Sequence, residues 1–370
     1  MKIGVPKEIK NNEFRVGLAP SSVKELTHSG HAVYVEKGAG LGIGAEDEDY
    51  ITAGATLLDT AASIFDIADM IVKVKEPQPN ECKMLKKDQV LFTYLHLAPD
   101  PQQTKLLVES GAIAIAYETV TDIYGGLPLL APMSEIAGRM SVQAGAHCLE
   151  KAQGGRGVLL GGVPGVTPGK VVIIGGGVSG INAAEMAVGL SADVTILERN
   201  IKKMREIDAQ FNGRVKTRYS NVSNIEEECI AADLVIGAVL VPGAEAPKLI
   251  TRDMLKRMKR GSVIIDIAID QGGCIETSHP TTHENPTFIE EHVVHYCVAN
   301  MPGAVARTST LALNNATLPF VLNLANKGWK KALKEDEHLK EGLNICQGHV
   351  TYKAVADAQG LKHKPANKFL

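Results

Sequence analysis

The chain has 370 residues, enough for two domains of about 150 residues, each with its own buried core. Its 39 basic and 42 acidic residues leave a formal charge of −3, which excludes the broad basic footprint that binds nucleic acid or an anionic membrane. Lys7, Glu8 and Lys10 interrupt the apolar core a signal peptide needs, and no apolar run approaches the roughly 18 residues of a membrane span, so the expectation is a cytoplasmic protein whose partners are small molecules and sister subunits.

Along the chain, β-rich runs alternate with helical patterns in two blocks, the signature of α/β architecture with parallel sheets covered on both faces. The first block has candidate strands at Lys2–Val5, Ala32–Glu36, 70–74, 90–94 and Ile113–Ala116, with helical patterns near 21–27, 46–53, 80–86 and 101–109. A long helical pattern follows at 134–151, with Ser134 and Glu135 suited to its first turn. Beyond the turn-rich stretch 161–169, the second block has strands at 171–174, 194–197, 234–238, 263–268 and 295–297. A second long helical pattern spans 310–326, and 329–343 reads as an amphipathic helix packing on the first domain.

The two long helices bracket the second block, so the chain is expected to leave the first domain along one and return along the other. The fold class that follows is two Rossmann-like, doubly wound domains with a cleft between them, the first discontinuous. Residues 1–133 and 306–370 form the substrate domain, and residues 134–305 the dinucleotide-binding domain.

The second assignment rests on the run Lys170-Val171-Val172-Ile173-Ile174-Gly175-Gly176-Gly177-Val178-Ser179-Gly180. Gly175 allows the tight turn after a buried strand, Gly177 lets backbone approach a pyrophosphate, and Gly180 lets the next helix lie close to the sheet. A helical pattern through Ile181, Ala184, Ala187, Val188 and Leu190 leads to Val194-Thr195-Ile196-Leu197 and then Glu198, about 20 residues on as the fingerprint requires. A carboxylate there accepts ribose hydroxyls and repels a 2′-phosphate, favouring NAD over NADP, while neighbouring Arg199 pulls the other way.

Open α/β sheets bind ligands at the carboxyl edges of their strands, and four ionisable residues fall there or in an adjoining loop: Arg15, Lys75, His96 and Asp270. Singly each has an ordinary role, as loop cation, strand end, packing histidine and turn former. Together they suit a small hydroxy or amino acid beside a nicotinamide, since guanidinium and ammonium groups bind a carboxylate and imidazole moves protons near neutral pH. Tyr94, Leu130, Met133 and Met301 are candidates to line a small pocket or to pack in the core. His279, His283, His292, His295 and Cys297 are close in sequence, but Pro280 and Pro286 break the helical spacing a metal site would use, so no metal is expected. The six cysteines form no C-x-x-C pair and suit reduced, buried thiols.

Several motifs in order carry a family resemblance: Asn11-Asn12-Glu13-Phe14-Arg15-Val16, Lys73-Val74-Lys75-Glu76-Pro77, Tyr94-Leu95-His96-Leu97-Ala98, the glycine run, and Tyr296-Cys297-Val298-Ala299-Asn300-Met301-Pro302-Gly303. On these the chain resembles the L-alanine dehydrogenase family over essentially its whole length. The resemblance implies reversible oxidative deamination of L-alanine to pyruvate and ammonium with NAD, by a homo-hexamer. It implies that Arg15 and Lys75 hold the substrate, that His96 is the acid–base group, and that Asp270 is a second proton-handling group. It further implies that Ser134, Val178, Ser179, Glu198, Lys203, Ser220, Val239, Leu240, Ile267, Asn300 and Met301 touch the dinucleotide or close over it. Two positions depart from the family pattern, Glu198 where Asp is frequent and His279 where Arg is frequent, and both bear on the choice between NAD and NADP. The alternatives are a nucleotide-binding subunit resembling the soluble part of a proton-translocating transhydrogenase, and a related dehydrogenase of lysine metabolism.

Overall fold

The structure is a computed structural model and describes residues 1–239 and 246–370. Among these the strands are, in chain order, β1 (Lys2–Val5), β2 (Ala32–Glu36), β3 (Thr56–Leu58), β4 (Met70–Val72), β5 (Val90–Thr93), β6 (Ile113–Ala116), β7 (Lys170–Ile174), β8 (Asp193–Glu198), β9 (Val215–Tyr219), β10 (Leu234–Gly237), β11 (Val263–Asp266), β12 (Thr287–Glu290), β13 (Val293–Tyr296), β14 (Leu343–Cys346) and β15 (His349–Val350). The chain divides into two compact units, Met1–Met133 with Val305–Leu370, and Ser134–Ala304.

The first unit is built on one sheet in the order β15-β14-β6-β5-β4-β1-β2-β3. From β3 to β6 all neighbours are parallel; β14 joins β6 antiparallel and β15 closes the edge. The second unit has the order β12-β13-β11-β10-β7-β8-β9, parallel apart from β12. Both parallel sets reverse beside their first strand, as doubly wound sheets do. β4, β5, β6, β10 and β11 are buried at every residue, which is why they read as continuous apolar runs rather than alternating ones.

The departures from expectation cluster at sheet edges. β3, β9, β12 and β15 are edge strands; β9, with sequence VKTRY, keeps a polar exposed side and therefore lacks an apolar signature. The pattern at 80–86 forms only one turn, Pro79–Cys82, whose Glu81 closes a capping box with Gln78. The helix expected at 329–343 is two short helices, Trp329–Glu335 and Glu337–Lys340, after which the chain enters β14. β6 is buried at all four residues and needs a partner on that side, which β14 supplies. The long helices run Ala131–Cys148 and Ala306–Lys327, the latter with Pro319 inside it.

Two buried ionic clusters shape the ends of the strands in the first unit. Lys73, just beyond β4, has no exposed surface, and its ammonium lies 3.1 Å from Glu8 Oε2 and 2.7 Å from Glu81 Oε1. Glu8 also accepts the Val74 N–H at 2.6 Å. Burial pushes the Glu8 carboxyl above its ordinary range, against the opposing pull of Lys73. The second cluster, Arg15 with Glu13, belongs to the site below.

Removing the cation alone would strand two carboxylates in a dry environment, so Lys73→Met is expected to lower the unfolding free energy by about 3–5 kcal/mol. Urea denaturation would show this. Adding Glu8→Gln should recover part of the loss, and a Lys73→Met variant as stable as the parent would contradict the ionic account.

Candidate active site

In the first unit, the segment after β1 carries Arg15, which is 3% exposed. Its Nε donates to Glu13 Oε1 at 2.7 Å and Nη2 to Glu13 Oε2 at 2.5 Å, so one edge of the guanidinium is committed to Glu13. Burial disfavours both ions, yet the pairing prevails: the Glu13 carboxyl is held below its ordinary range and the Arg15 guanidinium above its own. Nη1 reaches Met133 Sδ at 3.1 Å. This segment is held from a distance. Asn314, on the helix Ala306–Lys327, accepts from the Ala19 N–H at 2.7 Å and donates to the Gly17 carbonyl at 3.1 Å. A Cβ on Gly17 would lie 2.3 Å from the Val72 carbonyl oxygen, so only glycine lets the segment cross the end of β4.

Lys75 follows Lys73 and Val74 beyond β4. Its side chain is half-buried, and among the described residues its ammonium has neither a hydrogen-bond nor an ion-pair partner. Burial first, and then the Arg15 charge, lower its pKa. A cation with no ion-pair partner among the described residues, beside a second, anchored cation, suits a small carboxylate.

His96 ends the segment beyond β5. It is exposed, its backbone is left-handed at φ 49°, and its ring stacks on Tyr94 with centroids 5.8 Å apart and planes 9° apart. Tyr94 is buried, with its hydroxyl donating to the Leu129 carbonyl at 2.5 Å. Glu118 accepts the His96 N–H at 2.6 Å and the Leu95 N–H at 3.1 Å. The structure thus gathers Arg15, Lys75, Tyr94, His96 and Met133 at the carboxyl edge of the first sheet.

In the second unit, β7 runs into the glycine turn. Gly175 has φ 103°. A Cβ on Gly180 would lie 1.9 Å from the Gly175 carbonyl oxygen, so the helix Val178–Gly189 sits directly on the turn. Gly177 is the N-cap of that helix with no side-chain cap, no acidic residue occupies the first turn, and a Cβ there would meet nothing within 4 Å. Open space against uncapped N–H groups fits the pyrophosphate of a dinucleotide.

Glu198, at the end of β8, accepts the Gly176 N–H at 2.8 Å through Oε2 and the Arg199 and Asn200 N–H groups at 2.6 and 2.9 Å through Oε1. The Arg199 side chain is turned away, its Nε donating to the Ser220 carbonyl at 3.3 Å. Ser220 is buried and its N–H donates to the Glu198 carbonyl. Ser179 is spent on structure, its hydroxyl donating to the Ser134 carbonyl at 2.9 Å. Val178 is 45% exposed in the first helical turn. Lys203 lies 3.5 Å from Glu206, half-exposed near Glu198 in sequence. Val239 follows β10, and Ala238 lies against Gly175; Leu240 lies outside the described residues.

Ile267 and Asp270 lie in the 3₁₀ turn Ile267–Gln271 after β11, with Asp270 exposed. The turn is clamped from two sides. Buried Asp266 accepts the Cys274 N–H at 3.1 Å, and Lys248 donates to the carbonyls of Gly272 and Gly273. Asn300 and buried Met301 follow β13, and the Asn300 carbonyl shares a 2.8 Å hydrogen bond with His283 Nε2. The histidines of this region pack rather than converge: His279 stacks on Phe288 at 3.8 Å, and buried His295 bonds Thr277 at 2.9 Å. Among the described residues no three His, Cys, Asp or Glu side chains are grouped to hold a metal. All six cysteines are buried.

Sequence reasoning passed over Glu13, Glu118, Asp266, Lys248 and Asn314. Glu13 stood inside a quoted motif, and its spacing two residues before Arg15 was the available signal. The other four act on backbone or on residues far away in sequence, where no local pattern marks them.

Family patterns agree with this geometry. The alanine dehydrogenase/PNT N-terminal domain matches residues 4–137 and the C-terminal domain matches residues 141–353. The alanine dehydrogenase of Halomonas elongata is 60% identical, over 99% of this chain and 99% of that protein. A solved L-alanine dehydrogenase superposes with a TM-score of 0.95 at 55% identity, covering 97% of this chain and 99% of the other. The transhydrogenase from Sinorhizobium meliloti gives 0.83 at 28% identity, covering 95% and 100%. Matched along nearly its whole length by both domain patterns and by a relative at 60% identity, the chain belongs to the alanine dehydrogenase/PNT family.

Proposed function

We propose that this chain is an alanine dehydrogenase, catalysing the reversible NAD-dependent oxidative deamination of L-alanine to pyruvate and ammonium. The observation that carries the reading is Lys75, an ammonium without a partner among the described residues beside the anchored Arg15 guanidinium. The first unit is the substrate unit and the second the dinucleotide unit. The family resemblance further supports a homo-hexamer working in the cytoplasm.

Arg15 and Lys75 hold the substrate's carboxylate and carbonyl end. The glycine turn supports a dinucleotide whose pyrophosphate would be held by Gly175, Gly177 and the first turn at Val178–Gly180, with Glu198 accepting the ribose hydroxyls. When bound, the nicotinamide supplies the acceptor for the α-hydrogen of alanine as hydride. His96 accepts a proton from the water that adds to the resulting iminium carbon and returns it to the nitrogen; as the C–N bond breaks, the carbinolamine hydroxyl loses its proton, which the departing ammonia takes, so that pyruvate and ammonium form. Asp270 is the second proton-handling group. Binding between two fixed cations orients the α-carbon for transfer.

The test is NADH oxidation with ammonium and a panel of 2-oxo acids, in which pyruvate should be the best substrate; turnover best with 2-oxoglutarate, or none at all despite NADH binding, would reject the reading. In the same assay His96→Asn, which tolerates the left-handed backbone better than alanine, should lose roughly 100-fold or more in kcat while still binding NADH.

Lys75→Met is expected to keep or raise thermal stability, because the ammonium it removes is partly desolvated and unpaired. It should lower kcat/KM for pyruvate by roughly ten- to a hundredfold, the weight of one hydrogen bond to a charged group. Unfolding curves and steady-state kinetics together decide this, and an unchanged kcat/KM would show that the carboxylate binds elsewhere.

For the cofactor, kcat/KM with NADH should exceed that with NADPH, since Glu198 repels a 2′-phosphate and Arg199 is turned toward Ser220. A preference for NADPH in paired assays would overturn the assignment.

A further inference from the structure

His96 owes its pose to a residue in the turn after another strand. The exposed histidine sits in the left-handed region at φ 49°, where side-chain-bearing residues are uncommon and need support from their surroundings. That support is the Glu118 carboxylate. Oε1 accepts the His96 N–H at 2.6 Å and the Leu95 N–H at 3.1 Å, and Oε2 accepts the Leu95 N–H at 3.2 Å. One anion bound to two successive amides curls the backbone, and the curl lays the imidazole parallel to the Tyr94 ring. Among the described residues the carboxylate makes no other hydrogen bond.

Glu118 is itself braced. It lies in the 3₁₀ turn Tyr117–Thr119 directly after β6, against the C-terminal strand β14. The Ala116 N–H donates to the Gly342 carbonyl at 2.7 Å, and buried Asn344 donates through Nδ2 to Thr119 Oγ1 at 2.8 Å. We propose that Glu118 is a positioning residue for His96, acting through the Leu95 and His96 amides, and that β14 holds it in place through Asn344. The proposal rests on the reading of His96 as the acid–base group. Glu118 neither donates nor accepts a proton in the reaction; its charge serves the backbone.

This role has a signature that proton chemistry does not share. Glutamine keeps an oxygen at the full reach of the side chain, and one oxygen already takes both amides. Aspartate keeps the charge and the titratable proton but withdraws them by one methylene. Positioning therefore predicts that Glu118→Gln retains most of kcat. Glu118→Asp and Glu118→Ala should lose roughly 10- to 100-fold, with KM for pyruvate and NADH changed by no more than about twofold. The reverse order, with aspartate active and glutamine as slow as alanine, would overturn the proposal in favour of proton transfer by Glu118. Full activity of Glu118→Ala would overturn it outright.

Measured beside these, His96→Asn separates the two readings. If it is slow and Glu118→Ala is not, the positioning role fails while the acid–base role stands. If His96→Asn keeps full turnover, the acid–base role fails and the positioning role with it. In the double variant, Glu118→Ala should add no loss to His96→Asn, and multiplied losses would show that Glu118 acts elsewhere. Circular dichroism on each variant confirms that folded protein is compared, and Glu118→Asp decides the matter if the alanine variant does not fold.

Discussion

A lysine with no exposed surface stays charged only where carboxylates replace the water it has lost, and much of the carboxyl edge of the first sheet depends on one such lysine. Lys73 is fixed by Glu8 from the segment after β1 and by Glu81 from the turn after β4. Its position two residues before Lys75 means that holding one ammonium inside sets where the other emerges. The same device recurs at Glu13 and Arg15, two residues apart and both buried. Lys73, compensated, stands two residues from Lys75, which has no ion-pair partner among the described residues, while Arg15 is paired with Glu13. That arrangement gives an anion-binding site its fixed geometry without relying on mobile surface chains.

The dinucleotide half is governed by exclusion of atoms rather than by charge. Gly180 and Gly175 approach so closely that a single added carbon would collide with a carbonyl, while at Gly177 the missing carbon leaves space that none of the described residues fills. The first property seats the helix on the strand and the second keeps room for a ligand, so glycines in one motif do opposite things. Glu198 joins the two parts. Its carboxylate bonds the turn at Gly176 as well as its own loop, so the acidic residue at the end of β8 also supports the glycine turn.

The order of both sheets explains why the functional residues come from distant parts of the chain. Reversal beside the first strand of each set brings several carboxyl edges together, and segments leaving β1, β4 and β5 supply Arg15, Lys75 and His96. The C-terminal residues then complete the first unit from outside this pattern. The helix Ala306–Lys327 holds the Arg15 segment through Asn314, and β14 covers the edge of β6 and braces the turn that carries Glu118.

Much of this was legible in the sequence and some was not, and the division has a physical cause. Buried parallel strands such as β7, β10 and β11 announce themselves because burial on both faces demands continuous apolar residues. The glycine turn announces itself because only glycine meets its steric demands. Arg15, Lys75 and His96 were visible as ionisable groups following such strands. Edge strands such as β9 and β3 were silent because one exposed side relaxes that demand, and β14 and β15 went unassigned because four and two residues are too short to carry a pattern. The sequence by itself determined which central parallel strands form, where the glycine turn lies and which family the chain resembles, since each follows from local burial, local sterics or an ordered set of motifs. Only the tertiary structure decided that Glu13 pairs with Arg15 while Lys75 has no partner among the described residues, and that Glu118 and Asn344 stand behind His96, because such contacts leave no periodicity to read.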